Sequence, residues 1–209
     1  MTSSESAEAS SDDGFHARQD RPPMDTDKFW RIVDAAKLES GGICQQQVEV
    51  TVQKLSQLEP AEIVAFDELM VRLFKDAYRW DLWGAAYLIN EGCSDSGFYG
   101  FRAWLITQGR QVYEAALRDP DSLADHHDVL RLAEFEVLEC EDFLSATDMA
   151  YEKVTGQLPS FEYDRPRAVL QGKTWEFDDD REMQRRYPRL WAVVQTRCRD
   201  ASQVRWDES

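Results

Sequence analysis

Between Trp80 and Arg110 lie the residues best equipped, by type and spacing, to do chemistry. Trp80, Trp83, Tyr87 and Asn90 recur every three or four positions, so on a helix they fall near one face, with Asp81 beside them. Arg102, Ile106 and Arg110 follow at intervals of four, which places both guanidiniums on a shared face if one helix carries them. Asp81 and Asp95 are the carboxylates that could answer those arginines. A bidentate Arg–carboxylate pair between two antiparallel helices would lock a helical hairpin. The same residues could instead line a pocket, with the arginines gripping a carboxylate-bearing or other anionic ligand and the Trp and Tyr rings holding a planar one. The Cys93-Ser94-Asp95 turn adds a thiol and hydroxyls before a helix, where backbone donors favour an anion. A nucleophilic Cys93 would need a nearby base, and this stretch holds no histidine.

Other chemistry-bearing residues point to no metal and no cofactor. Cys44, Cys93, Cys140 and Cys198 are far apart and form no CxxC, so all four are expected as reduced thiols packed as small hydrophobes. His126 and His127 are adjacent and diverge on a helix, and His16 stands alone near the N-terminus. Glu134, Glu136, Glu139, Glu141 and Asp142 lack the Glu-x-x-His repeats of a helical di-metal site and read as the solvated face of a helix. Gly92 and Gly97 belong to no phosphate loop.

The elements that must carry these residues are helical. Thr26 is placed to cap a helix built on Phe29, Ile32, Val33 and Ala36, with Gly41-Gly42 closing it. Val48, Val52 and Leu55 mark a second helix. Pro60 opens a third, whose stripe runs through Ile63, Phe66, Leu69, Met70, Leu73 and Phe74. Helices over about Asp81–Asn90 and from Ser94 to about Leu117 follow, the latter stopped by Asp119-Pro120. Leu130, Ala133, Val137, Leu138, Phe143, Ala146 and Ala150 are helically spaced through the acidic block, with room for a break near Asp142, up to Gly156. Residues 157–180 read as a surface loop, and a last helix is interrupted at Tyr187-Pro188. The expectation is an all-α, compact single-domain bundle of about seven to eight helices. Residues 1–24 form a disordered acidic extension, 25–194 the helical domain and 195–209 a C-terminal tail.

One long motif carries a resemblance. Ala77-Tyr78-Arg79-Trp80-Asp81-Leu82-Trp83-Gly84-Ala85-Ala86-Tyr87-Leu88-Ile89-Asn90-Glu91-Gly92-Cys93-Ser94-Asp95 is followed by Gly97-Phe98 and then Phe101-Arg102-Ala103-Trp104-Leu105-Ile106-Thr107-Gln108-Gly109-Arg110. Together with Lys28-Phe29-Trp30 and Arg186-Tyr187-Pro188-Arg189-Leu190-Trp191, it resembles the bacterial family called domain of unknown function 4240, over about residues 25–194. The resemblance implies a helical bacterial protein and brings no activity with it.

Charge narrows the partner classes. The chain is 209 residues long with a net charge of −16, and residues 119–152 hold eleven acids against Arg131 alone. Such a surface opposes general nucleic-acid binding, which needs clustered Lys and Arg, and favours a basic protein partner. No run is apolar enough for a membrane span and no secretory leader is apparent, so the expected location is cytoplasmic. The expected role is a non-enzymatic protein-interaction or accessory module with an acidic helical surface and possible homo-oligomerisation. The alternative is a small-molecule binder or enzyme using Trp80, Asp81, Trp83, Tyr87, Asn90, Cys93, Asp95, Arg102 and Arg110.

Overall fold

The computed structural model describes residues 23–133, 136–159 and 169–207. The expected N-terminal extension, apart from Pro23 and Met24, lies outside these residues, as do His16 and Glu134.

Helix α1 (Thr26–Ser40) is capped by Asp25, whose carboxylate accepts from the Asp27 N–H at 2.9 Å. The cap is thus one residue earlier than expected, and Thr26 is already helical. Gly41, at φ 64°, ends α1 as its sequence position demands. Helix α2 (Cys44–Leu55) follows, then α3 (Pro60–Asp76), which starts on Pro60 with Glu59 and Glu62 forming a reciprocal capping box. Helix α4 (Trp80–Ile89) leads through the Glu91-Gly92 turn to α5 (Asp95–Thr107), where the Ser94 hydroxyl accepts from the Gly97 N–H.

Helix α5 is the axis of the fold. Every residue from Gly100 to Gly109 is buried, which requires neighbours on all sides, and apart from Arg102, Thr107 and Gln108 the stretch is apolar or glycine. The helix stops at Gln108, because Gly109 adopts φ 89° and redirects the chain into α6 (Arg110–Arg118). Arg110 therefore opens α6 instead of continuing the α5 face that carries Arg102, which corrects the expected shared face.

The acidic block is not one helix. A 3-10 turn (Pro120–Asp125) and the short α7 (His127–Arg131) give way to irregular chain, then a second 3-10 turn (Glu141–Ser145) and α8 (Ala146–Thr155). From Val137 to Cys140, exposed and buried side chains alternate, as in extended chain. Two forces favour this outcome. Acids three apart on a helix, such as Glu136 with Glu139 and Glu139 with Asp142, would repel. The extended path also lets Leu138 and Cys140 both pack inward, with the Cys140 N–H bonded to Gly100 O at 3.1 Å.

Two of the four cysteines depart from expectation, whereas Cys93 is a free thiol as expected and the Cys198 side chain lies outside the described residues. Cys44, at the start of α2, is disulfide-bonded to Cys140, with 5.7 Å between the two Cα atoms. Sequence spacing gave no hint of the pair because it closes across 96 residues.

Beyond α8, residues 169–179 carry no regular element apart from a single parallel bridge, in which Trp80 N–H donates to Gln171 O and Gln171 N–H to Tyr78 O. The chain closes with α9 (Asp180–Arg186) and α10 (Pro188–Asp207), divided at Tyr187-Pro188 as expected. Helix α10 passes Val194 without a break, and Arg197 Nη2 donates to Ile89 O at 3.1 Å, fastening the end of α4. Among the described residues there is no strand, and no helix is long and apolar enough to cross a membrane.

Candidate functional site

The Trp80–Arg110 motif covers α4 and α5 and ends on the first residue of α6, and its Trp83, Asn90 and Arg102 side chains bond to backbone. Trp80 and Trp83 stack at 5.4 Å and 13°, and Trp83 stacks on buried Phe98 of α5 at 5.0 Å and 6°. Phe177, from the irregular stretch before α9, lies against Trp80, Trp83 and Tyr87 at 5.3 to 6.1 Å, with Trp175 beside it at 5.3 Å. Trp80, Trp83, Tyr87 and Phe177 are half-buried and form an aromatic shelf open on one side.

Two of these side chains, Trp83 and Tyr87, and with them Asn90, also fix neighbouring segments. Trp83 Nε1–H donates to Cys93 O at 2.9 Å, holding the turn between α4 and α5. The Tyr87 hydroxyl donates to Asp178 Oδ1 at 2.6 Å, and this bond raises the phenol's pKa. Asn90 receives the Leu138 N–H at 3.0 Å and donates to Leu138 O at 3.4 Å. Two residues one turn apart on α4 thus hold two acidic segments, one around Asp178 and the other around Glu139.

Asp81 is engaged by its near neighbour Arg79, whose guanidinium reaches both carboxylate oxygens at 3.0 and 2.5 Å and also donates to Leu117 O. Asp81 O in turn accepts the Tyr187 hydroxyl at 2.5 Å. Arg102, only 6% exposed, meets neither expected carboxylate. It donates to Phe74 O at 2.9 Å and Phe98 O at 3.4 Å, and lies over the Phe74 and Tyr78 rings at 3.8 and 4.6 Å. Phe74 is in the last turn of α3, where free carbonyls and the helix dipole both attract a cation, and this supplants the expected salt bridge. Burial lowers the Arg102 pKa to about 10, so the side chain stays charged at neutral pH. Arg110 instead bonds Asp27 of α1 at 2.6 Å and Glu114 at 2.7 Å, at the surface. The two arginines thus do not share a site.

Cys93 is half-buried, and burial pushes its thiol up to about 11, with the Asp95 and Glu139 carboxylates adding to the rise. A thiol held protonated in this way is a poor nucleophile. Asp95 is exposed in the first turn of α5. Sequence reasoning missed Phe177, Trp175 and Asp178. Their signal is the alternation of aromatic and acidic residues in Trp175-Glu176-Phe177-Asp178, inside a stretch otherwise read as surface loop.

Over residues 24–153 the chain matches the model of a family described as "protein of unknown function (DUF4240)". That match ends in α8, short of the expected 194, and leaves Arg186–Trp191 outside it. No curated protein and no solved structure matches the chain.

Proposed function

The chain belongs to the DUF4240 family, and we propose that it is a docking module that receives a basic segment of another protein. The observation that carries this reading is the pair Tyr87 and Asn90, which hold two acidic segments against one helix beside the half-buried aromatic shelf. Glu139, Glu141 and Asp142 lie exposed on one side and Glu176, Asp179 and Asp180 on the other. A partner rich in Lys and Arg would find carboxylates for its charges and ring faces for its aliphatic stems and guanidiniums. The acids would also speed its approach, in a salt-dependent way. The engagement of Arg102, Asn90 and Trp83 with backbone supports a positioning role for them and weakens the case for an anion-binding pocket.

The test uses a fluorescently labelled Lys/Arg-rich peptide and a matched acidic control, read by anisotropy at low and high salt. The basic peptide should bind, weakening ~10-fold between 50 and 300 mM salt (concentrations approximate). The combined variant Glu136→Gln, Glu139→Gln, Glu141→Gln, Asp142→Asn should weaken it by a similar factor while keeping the helical circular dichroism. Equal binding by that variant, or by the acidic peptide, overturns the reading.

A further inference from the structure

We propose that the Cys44–Cys140 bond is a two-electron switch that holds or frees the acidic segment Glu136–Cys140, and so regulates the docking surface; the regulatory part rests on the docking reading. The segment has few other anchors. Among the described residues its hydrogen bonds to distant parts of the chain are Leu138 with Asn90 and Cys140 N–H with Gly100 O; the others are local, Glu136 with Ala133 and Cys140 O with the Phe143 N–H, and only Leu138 and Cys140 of the segment are buried. It has no regular structure, and its two acids, Glu136 and Glu139, are exposed. Cutting the covalent tie leaves the segment held to distant parts of the fold by the Asn90 and Gly100 hydrogen bonds and by the buried Leu138 and Cys140 side chains.

The pair is arranged for reversible chemistry. Cys44 is half-buried at the first position of the twelve-residue α2, whereas Cys140 is 2% exposed, so a reductant meets Cys44 first. A thiolate of an external dithiol attacks Cys44 Sγ, and the S–S electron pair leaves on Cys140 Sγ, which takes up a proton. The second thiol of the reductant, losing its proton, attacks the mixed disulfide. It departs as part of a cyclic disulfide and releases Cys44 as a thiolate, favoured by the α2 N-terminus until it is protonated. Two electrons and two protons pass from the dithiol to the protein.

Hydrogen exchange of the full chain, oxidised and then reduced with dithiothreitol, tests the switch. The Leu138 and Cys140 amides should exchange ~10-fold faster or more after reduction, while amides of α5 from Ala103 to Leu105 hold their rates. The double variant Cys44→Ser, Cys140→Ser should reproduce the reduced pattern without reductant. Unchanged exchange at Leu138 and Cys140, or equal acceleration throughout α5, overturns the proposal. So does recovery of Cys44 and Cys140 as separate thiols after treatment with excess glutathione disulfide. The basic peptide should bind the oxidised form at least ~3-fold more tightly, since the fixed segment is preorganised. Equal binding to both forms overturns the regulatory step, and binding to neither overturns the docking reading while the exchange data still judge the switch.

Discussion

Gly84 sits on the face of α4 where the α9–α10 junction closes over it, and its replacement by alanine tests that packing directly. A Cβ there would stand 2.5 Å from Tyr187 Oη and 2.6 Å from Trp175 Cζ2. Neither atom can swing away, because Tyr187 is 2% exposed and bonded to Asp81 O, while Trp175 donates to Met183 Sδ and carries Arg186 at 3.9 Å over its ring. Forced displacement in a packed interior costs ~1–3 kcal/mol. Losing the buried Tyr187 hydrogen bond adds ~1–3 kcal/mol. Removing a helical glycine returns ~1 kcal/mol, leaving a net loss near 3 kcal/mol. Gly97 provides the control, since its Cβ would meet only Cys93 Sγ at 3.5 Å and Ser94 Oγ at 3.6 Å, which are ordinary contacts. Gly97→Ala should therefore be neutral or stabilising by up to ~1 kcal/mol. In urea and thermal melts of the oxidised protein, Gly84→Ala should melt ~6–12 °C lower and Gly97→Ala at or slightly above the parent. Adding Tyr187→Phe should relieve part of the Gly84→Ala cost, because the closest atom disappears. Equal stability of the two alanine variants, or strict additivity with Tyr187→Phe, would refute the packing assigned to this junction.

Three further outcomes follow from the same geometry. Reducing the Cys44–Cys140 bond removes a crosslink spanning 96 residues. The chain-entropy limit of ~4.7 kcal/mol for a loop near that length sets the largest expected loss, and an unchanged urea midpoint with and without reductant would count against it. Arg102→Gln should destabilise by ~2–4 kcal/mol, because the Phe74 carbonyl and two ring faces lose their cation, whereas Arg110→Gln should leave the melt unmoved. Equal effects of the two would show that Arg102 is not buried as described. His126 packs edge-on to Trp104 at 5.4 Å, and burial, then Lys37 and His127, lower its pKa despite Asp128. The folded state thus takes up this proton later than the unfolded chain, so the stability is present above about 6.5 and is lost as pH falls below it. Urea midpoints between pH 8 and 5 (both approximate) should fall less in His126→Gln than in the parent, and parallel curves would refute the assignment.

The helices were legible where a local rule acts alone. Pro60 and the Ile63–Phe66–Met70 stripe mark α3, while Gly41 and Gly156 mark helix ends, because caps and periodicity depend on neighbours within a turn or two. The acidic block misled because Val137, Leu138, Phe143 and Ala146 satisfy a helical spacing, while the alternation that won, Val137 to Cys140, is only four residues long. The disulfide was illegible because its partners lie 96 residues apart and are brought together only by tertiary packing, which no local spacing displays.

The candidate site failed to read out for a deeper reason. Sequence reasoning paired Arg102 with Asp81 or Asp95 because carboxylates are the acceptors a sequence displays. The acceptors actually used by Trp83, Asn90, Arg79, Arg102 and Tyr187 include the carbonyls of Cys93, Leu138, Leu117, Phe74 and Asp81, and every residue has a carbonyl. A side chain that satisfies such a carbonyl fixes the segment that bears it, and these do so at two irregular segments, around Cys93 and Leu138, and at two helix ends, Phe74 of α3 and Leu117 of α6. Such a motif spends its polar groups on the fold, leaving ring faces as its own solvent-facing chemistry beside the exposed acids of the segments it holds. Under the proposed docking reading, those acids and ring faces, more than the arginines of the motif, are where substitutions should alter binding of a cationic partner.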